Sequence, residues 1–407
     1  GTRIVLLFIA AKPRVRIAFF MSMNFKTSAL AAAVSVALCA NAWALEPQSV
    51  KLGDGLTFTP TLQVSERYDD NFRAVEKNEE SSWITGITPT FTLAAEGRKS
   101  AYELTYSANT DIFHSSHADD NTDHHLTANA GFEFDARNRL VLSAGHHKVE
   151  ETASLDQNAE NDKYSTSNIG GLYTFGAKTA RTQLDFGANY EELRYQNSNN
   201  LNADKERDTT ALSSTAYYRV APKTRLLVEA RHTDYDYVTN TRLNSNNIAL
   251  LGGVTWEATA KTTGTVKIGA EKKRFDDSSI DDKSGSLWEV GASWAPRTYS
   301  TFNLNTRRAL DEGDSGASSI QSQSTTLSWN HEWLDRLSSD VSYTYSDQEY
   351  QDVKRDDKIK TMGLGLTYEM RRWLDIGVGY KYSENDSTAA NESYERNIYS
   401  ISFTASL

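Results

Sequence analysis

The sequence predicts an all-β protein: a transmembrane, antiparallel, up-and-down β-barrel of about 18 strands, bracketed at roughly 16–18. Three observations carry the prediction. From about residue 55 onward the chain repeats a hairpin unit of roughly 36–45 residues. Within each unit, segments of about 10–14 residues alternate apolar and polar side chains with period two. The connections alternate strictly between short turns and longer polar loops, as a sheet inserted from one side of a membrane requires.

Composition agrees. The chain has 407 residues, 39% of them hydrophobic, with 20 Tyr, 15 Phe, 8 Trp and only 6 Pro, a strand and interface vocabulary more than a helical one. Its mean hydropathy is negative, and past the N-terminus no apolar run reaches the roughly 18–20 residues of a spanning helix. Barrel strands escape that requirement because half of each strand faces the lumen.

The N-terminal elements precede the fold. Residues 1–20 read as an upstream extension outside the native protein; a membrane anchor is the competing reading, interrupted by Lys12, Arg14 and Arg16. Residues 21–44 read as a signal peptide: Lys26, an apolar stretch over 29–40, then the small-residue site Ala42-Trp43-Ala44. The one cysteine, Cys39, lies inside this leader behind the bulky Leu38, a poor context for lipidation, so the mature chain lacks thiol chemistry. Removing 1–44 takes away five basic residues and no acid, so the formal charge of −11 becomes −16. An acidic chain argues against nucleic acid as a partner. Residues 45–54 read as a short periplasmic segment and 55–407 as the barrel.

Strand cores are expected to start near residues 56, 82, 100, 124, 139, 164, 181, 208, 224, 247, 263, 286, 299, 322, 338, 358, 373 and 396. The alternation is clearest where Leu104, Tyr106, Ala108 and Thr110 interleave with Glu103, Thr105, Ser107 and Asn109, and where Leu374, Ile376, Val378 and Tyr380 interleave with polar or glycine positions. Each short turn carries a basic residue, at Arg98, Arg137, Lys178, Lys223, Lys261, Arg297, Arg336 and Arg372. Trp294, Trp333 and Trp373 beside short turns, and Trp83 beside a long loop, mark the interfacial girdles. Polar, acidic loops are expected over 69–80, 114–125, 151–163, 196–208, 275–283, 347–357 and 383–392. Asp and Asn suit tight turns, so solvated loop tips are the expected reading of any one cluster, with divalent cations bridging some of them to lipopolysaccharide as the alternative. An even strand number puts both termini in the periplasm.

A soluble sandwich would bury the same apolar faces against a second sheet. Against it, these strands are long for soluble sheets. About ten residues at 3.3 Å, tilted near 40°, span about 25 Å, the height of an outer-membrane apolar band. The apolar faces also avoid charge at their centres, where a base against lipid would cost about 2–4 kcal/mol. The last segment, Tyr399 to Leu407, is the amphipathic terminal strand that barrel-assembly machinery reads, with Leu407 in place of the usual terminal aromatic.

No nucleophile motif, phosphate loop or metalloprotease helix is present, so no enzyme and no cofactor are expected. The pairs His124-His125 and His146-His147 are the best metal-binding material, with Asp119, Asp120 and Asp123 nearby. Neighbours along a strand face opposite sides, so neither pair can converge on one ion from within its strand, and no metal site is expected. The polar face supplies Arg67, Glu103, Asp111, Asp185, Glu191, Glu229, Arg231, Lys267, Glu271, Lys273, Arg307, Asp340, Asp375 and Lys381 as lumen-lining candidates. They could line a hydrated pore or pair across strands to stabilise the wall. No stretch within the barrel is long enough for a plug domain, and loops of about 8–13 residues are short for folding inward to constrict a pore.

The run Val64-Ser65-Glu66-Arg67-Tyr68-Asp69-Asp70-Asn71-Phe72, the downstream Trp83-Ile84-Thr85-Gly86-Ile87-Thr88-Pro89 and the basic-turn hairpins resemble the putative β-barrel porin 2 family over nearly the whole mature chain. Tyr68, Asp69, Asp70 and Asn71 form its sharpest element. The resemblance implies an outer-membrane barrel of a Gram-negative bacterium, associated with exopolysaccharide or capsule export beside a periplasmic export protein, and no catalytic residues. The expected function is therefore a conduit for a polysaccharide or other hydrophilic solute, embedded in outer-membrane lipid and lipopolysaccharide. A general diffusion porin and a closed, surface-binding barrel are the alternatives.

Overall fold

A strand that alternates polar and apolar side chains leaves both of its edges unsatisfied, and in lipid every backbone donor must find a partner within the protein. The computed structural model describes residues 49–152, 160–259 and 261–406. The leader 21–44 and the extension 1–20 lie outside the described residues. A short strand β1 (Val50–Gly53) precedes eighteen long ones: β2 (Leu56–Asp69), β3 (Ser82–Glu96), β4 (Ser100–Phe113), β5 (Asn121–Glu133), β6 (Asn138–Glu151), β7 (Asp162–Phe175), β8 (Thr182–Tyr195), β9 (Arg207–Ala221), β10 (Thr224–Tyr237), β11 (Ser245–Thr259), β12 (Thr262–Phe275), β13 (Lys283–Arg297), β14 (Ser300–Glu312), β15 (Ser319–Leu334), β16 (Leu337–Tyr350), β17 (Arg355–Arg371), β18 (Leu374–Ser387) and β19 (Tyr394–Ser406). From β2 onward each strand pairs antiparallel with its successor, and β19 returns to β2 with Ser400 opposite Arg67, closing an 18-stranded barrel. Each of the eighteen long strands starts within three residues of its expected position, while β1 was not expected.

The strands run longer than expected, to 17 residues in β17. Fourteen residues at about 3.3 Å, tilted near 40°, rise about 35 Å, so the wall stands well beyond an apolar band of about 25 Å. The excess shortens the loops. Residues 347–357, expected as loop, pair as strand, with Gln348 opposite Asp357, and only 351–354 turn. Acidic side chains there misled the expectation: cross-strand pairing satisfies the backbone while the carboxylates stay at the rim.

One face carries the apolar set into the surroundings. Ile169, Leu250 and Ile268 are 63%, 61% and 61% exposed, and Trp83, Trp294, Trp333 and Trp373 are exposed at the two rims. Long chords mark the opposite, concave face. Arg231 on β10 reaches Glu289 on β13, and Tyr237 on β10 reaches Glu312 on β14, which only side chains inside the curve can do.

The closure and one inward fold depart from a plain cylinder. Along β2, β19 covers Thr61 to Asp69, and β1 takes up the same edge below it, with Val50 opposite Phe58. Val50–Gly53, within the segment expected to be short and periplasmic, therefore add rungs to the seam. Farther round, β13 and β14 separate above Trp288–Arg308, whereas β14 stays paired with β15 up to Glu312–Ser319. The freed tip of β14–β15 leans over the inner face of β12 and β13. The Leu310 amide donates to Glu271 Oε1 on β12 at 2.6 Å. Gly285 on β13 makes room, since a Cβ there would lie 2.6 Å from Gln321 Oε1. Ala309 packs with Ala249, Leu251 and Leu287. Covering Leu251 and Leu287, 1% and 2% exposed, stabilises the inward position by about 1.5–3 kcal/mol each. Short loops were expected to leave the lumen unobstructed. Here the wall itself bends in.

Candidate functional site: the inner wall

Register places all fourteen lumen candidates on the concave face, on two chemically different walls. Across β8 to β14 the wall is charged and largely self-neutralised. Arg231 holds Glu289 through two bonds of 2.7 and 2.9 Å and Glu229 at 2.7 Å, and Lys267 approaches Glu229 at 3.4 Å. Thr215 donates to Glu229 at 3.1 Å. Arg307 pairs with Asp311 at 2.9 Å on the same strand. Asp185 lies 3.5 Å from Gln183 Nε2, and Glu191 stands opposite Asn168 and Thr209. Such pairs cancel the local field and still present donors and acceptors to water.

From β15 through β19 to β4 the wall is mostly hydroxyl and glycine. Ser324 bonds Ser346 at 2.9 Å, Thr326 bonds Thr344 at 2.8 Å, and Gly363, Gly365, Gly377 and Gly379 leave the inner surface low. Charges are sparse on this side. Glu103 stands between Ala94 and Asn129, Asp340 between Asn330 and Gly365, Asp375 opposite Thr404, and Lys381 opposite Ile398. Arg67 crosses β3 to Asp111 with bonds of 3.2 and 2.7 Å. The crossing exists because Gly86 lies beneath it: a Cβ there would stand 2.6 Å from Ser65 Oγ and 3.5 Å from both Arg67 and Asp111.

At the long-loop rim the inward tip is held by buried charge. Lys273, with no exposed surface, pairs with Glu312, which also accepts from Tyr237. The ammonium sits 4.1 Å from the Tyr235 ring centroid. In the tip's loop, burial pushes the Asp314 carboxyl above the usual carboxylate range, against Lys205, Ser315 and Arg355. Asp352 on the next loop is held below that range by the Ser318 hydroxyl and by Lys283, 3.0 Å away. A second apolar group, Phe72, Ile84 and Phe113, packs together at the rim beside β3 and β4, where Arg73 binds Asp119 at 2.8 Å.

Asp69, Asp70 and Asn71 do something the sequence did not disclose: they fasten the barrel seam. Asp69, completely buried, takes the Arg396 guanidinium of β19 at 2.5 Å. Asp70 accepts the Asn397 backbone and side-chain N–H groups at 2.7 and 2.8 Å. Asn71 Nδ2 donates to the carbonyls of Val75 and Glu395 at 2.8 and 2.9 Å, and its Oδ1 accepts the Val75 amide at 3.1 Å. Tyr68 faces outward against Trp83.

The histidines divide across the wall. His124 and His146 face outward, onto Tyr106 and Ser167, whereas His125 and His147 face inward as direct register partners. Neighbours along one strand diverge, whereas a cross-strand pair comes from the β5–β6 register, which nothing in the local sequence supplies. Among the described residues no group of three or more His, Cys, Asp or Glu could hold a metal ion.

Solved structures similar to this chain include an outer-membrane protein, a siderophore receptor and an iron transporter. OpdK of Pseudomonas aeruginosa, solved with vanillate, is 11% identical with a TM-score of 0.47, over 85% of this chain and 98% of that one. The siderophore receptor PirA of the same organism is 11% identical with a TM-score of 0.46, over 88% and 81%. The FrpB iron transporter of Neisseria meningitidis (F3-3 variant) is 12% identical with a TM-score of 0.44, over 80% of this chain; the chain spans 62% of FrpB, less than two thirds of its length. No curated protein matches the chain. The family model described as putative beta-barrel porin 2 matches residues 44–407, and with an 18-stranded closed wall behind that match the chain belongs to this family of outer-membrane, porin-like barrels.

Proposed function

We propose that the barrel is a non-enzymatic conduit for a hydrophilic solute, and that the solute is a secreted polysaccharide delivered by a periplasmic export protein. In this reading the short-turn rim and both termini face the periplasm. The observation that carries it is the chemistry of the inner wall: hydroxyls and glycines on one side, and neutralised ion pairs with spare donors and acceptors on the other. A sugar chain needs weak, exchangeable hydrogen bonds along its path, and a surface of this kind supplies them without a deep charge trap.

A second reading, a general diffusion porin, is favoured by the inward β14–β15 tip, since narrowing of the lumen near one mouth sieves small solutes. Swelling of proteoliposomes in solutions of neutral malto-oligosaccharides separates the two. A conduit admits chains of six or more sugar units nearly as fast as disaccharides. A sieve shows a steep fall with length, and that outcome would count against the polysaccharide.

A further inference from the structure

The conduit reading leaves the inward histidine pair unused. His125 on β5 lies opposite His147 on β6, both partly buried, with ring centroids 5.1 Å apart. Their Nδ1 atoms are 2.9 Å apart. Two N–H groups cannot face each other at that separation, so at most one proton lies between the rings and at least one Nδ1 offers its lone pair to the other. Two imidazole nitrogens bound to one metal ion at about 2.0–2.1 Å and about 90° stand about 2.9 Å apart, whereas a tetrahedral angle would need about 3.3–3.4 Å. The two rings share a hydrogen bond as they stand, and the same separation suits two adjacent ligands on a square or six-coordinate ion that displaces the shared proton.

The surroundings accept such an ion. Ser107 lies opposite His125 on β4 and Thr166 opposite His147 on β7, both small hydroxyls on the same face. Asp123 follows on that face, two residues from His125, although its Oδ1 already accepts the Glu150 amide at 2.9 Å. Lys148, the nearest base in sequence, is opposite the outward His124 and faces away.

We propose that His125 and His147 bind a divalent transition-metal ion of the Cu2+ or Ni2+ class on the inner wall, with water completing its coordination. Imidazole suits these ions, and a site whose two protein donors are imidazole nitrogens selects against Ca2+ and Mg2+, which require oxygen donors. A bound ion adds two positive charges to the lumen surface beside Asp123.

The test titrates NiCl2 into the full-length barrel, refolded without an oligohistidine tag, by isothermal calorimetry. One saturable site per chain is expected. His125→Ala and His147→Ala should each weaken it at least tenfold, and the double variant His124→Ala/His146→Ala, on the opposite face, should leave it unchanged. Copper added to wild-type protein should show an electron paramagnetic resonance spectrum with coupling to two imidazole nitrogens, a readout that needs no variant to fold. Absence of a saturable site, a site that survives either inward substitution, or a copper spectrum with one nitrogen or none overturns the proposal.

Discussion

Replacing Asn71 with alanine isolates the clasp between the first and last long strands. The Asn71 side chain is fully buried and makes three hydrogen bonds, two donated by Nδ2 to the carbonyls of Val75 and Glu395 and one accepted from the Val75 amide. The two donated bonds contribute about 1 kcal/mol each, and stranding the buried Val75 N–H costs about 1–3 kcal/mol more, for an expected loss of about 3–5 kcal/mol. Glu79→Ala in the same loop, on an exposed side chain, should stay within about 0.5 kcal/mol of wild type. Urea unfolding of both variants in lipid vesicles, followed by tryptophan fluorescence, measures the difference. Because β19 pairs with β2 only from Thr61 to Asp69, the loss should appear as earlier opening of this seam. A loss below about 1 kcal/mol for Asn71→Ala would refute the clasp and leave backbone pairing alone to close the barrel.

Other perturbations probe the wall. Lys273→Met leaves Glu312 buried with Tyr237 as its hydrogen-bond partner and should cost about 3–5 kcal/mol, most of it recovered in Lys273→Met/Glu312→Gln; equal urea midpoints for the single variant and wild type would contradict the buried pair. Gly86→Val should cost about 1–3 kcal/mol by pushing Ser65 and the Arg67–Asp111 bridge apart, while Gly291→Ala, whose new Cβ would meet only Asn305 Oδ1 at 3.4 Å, should be tolerated, both read as shifts in thermal unfolding. Leu250→Arg, on the outward face, should lower stability in vesicles by about 2–4 kcal/mol; no effect would mean that this face does not meet lipid. Asp314 has its folded carboxyl pKa raised by burial, so its contribution is fully favourable below the unfolded value near 3.9 and is lost as pH rises through the folded one. Asp314→Asn should therefore unfold at higher urea than wild type at pH 7, and the gap should close toward pH 4.

The architecture was legible because a barrel wall is written locally. Period two in segments such as Leu104 to Thr110, and a basic residue in every short turn, specify strand, face and order without knowledge of any distant contact. What stayed hidden depends on register between remote segments. The tip of β14–β15 reads as ordinary strand, and its inward lean follows from Gly285, Ala249 and Glu271 on strands it does not pair with. His125 and His147 are 22 residues apart, and only the 5–6 hairpin register brings them opposite one another. Asp69 to Asn71 were visible as a motif, but their partners Arg396 and Asn397 lie 327 residues away in sequence from Asp69 and Asp70. The rims were overestimated as loops because acidic strand ends and acidic loops look alike.

Single-channel recording of the refolded barrel in a planar bilayer, with and without an added neutral polysaccharide, tests the central claim most directly. A hydrophilic conduit predicts steady conductance that polysaccharide interrupts reversibly from one side. A barrel that passes no current, both as wild type and with the inward tip released by Lys273→Met, would contradict it.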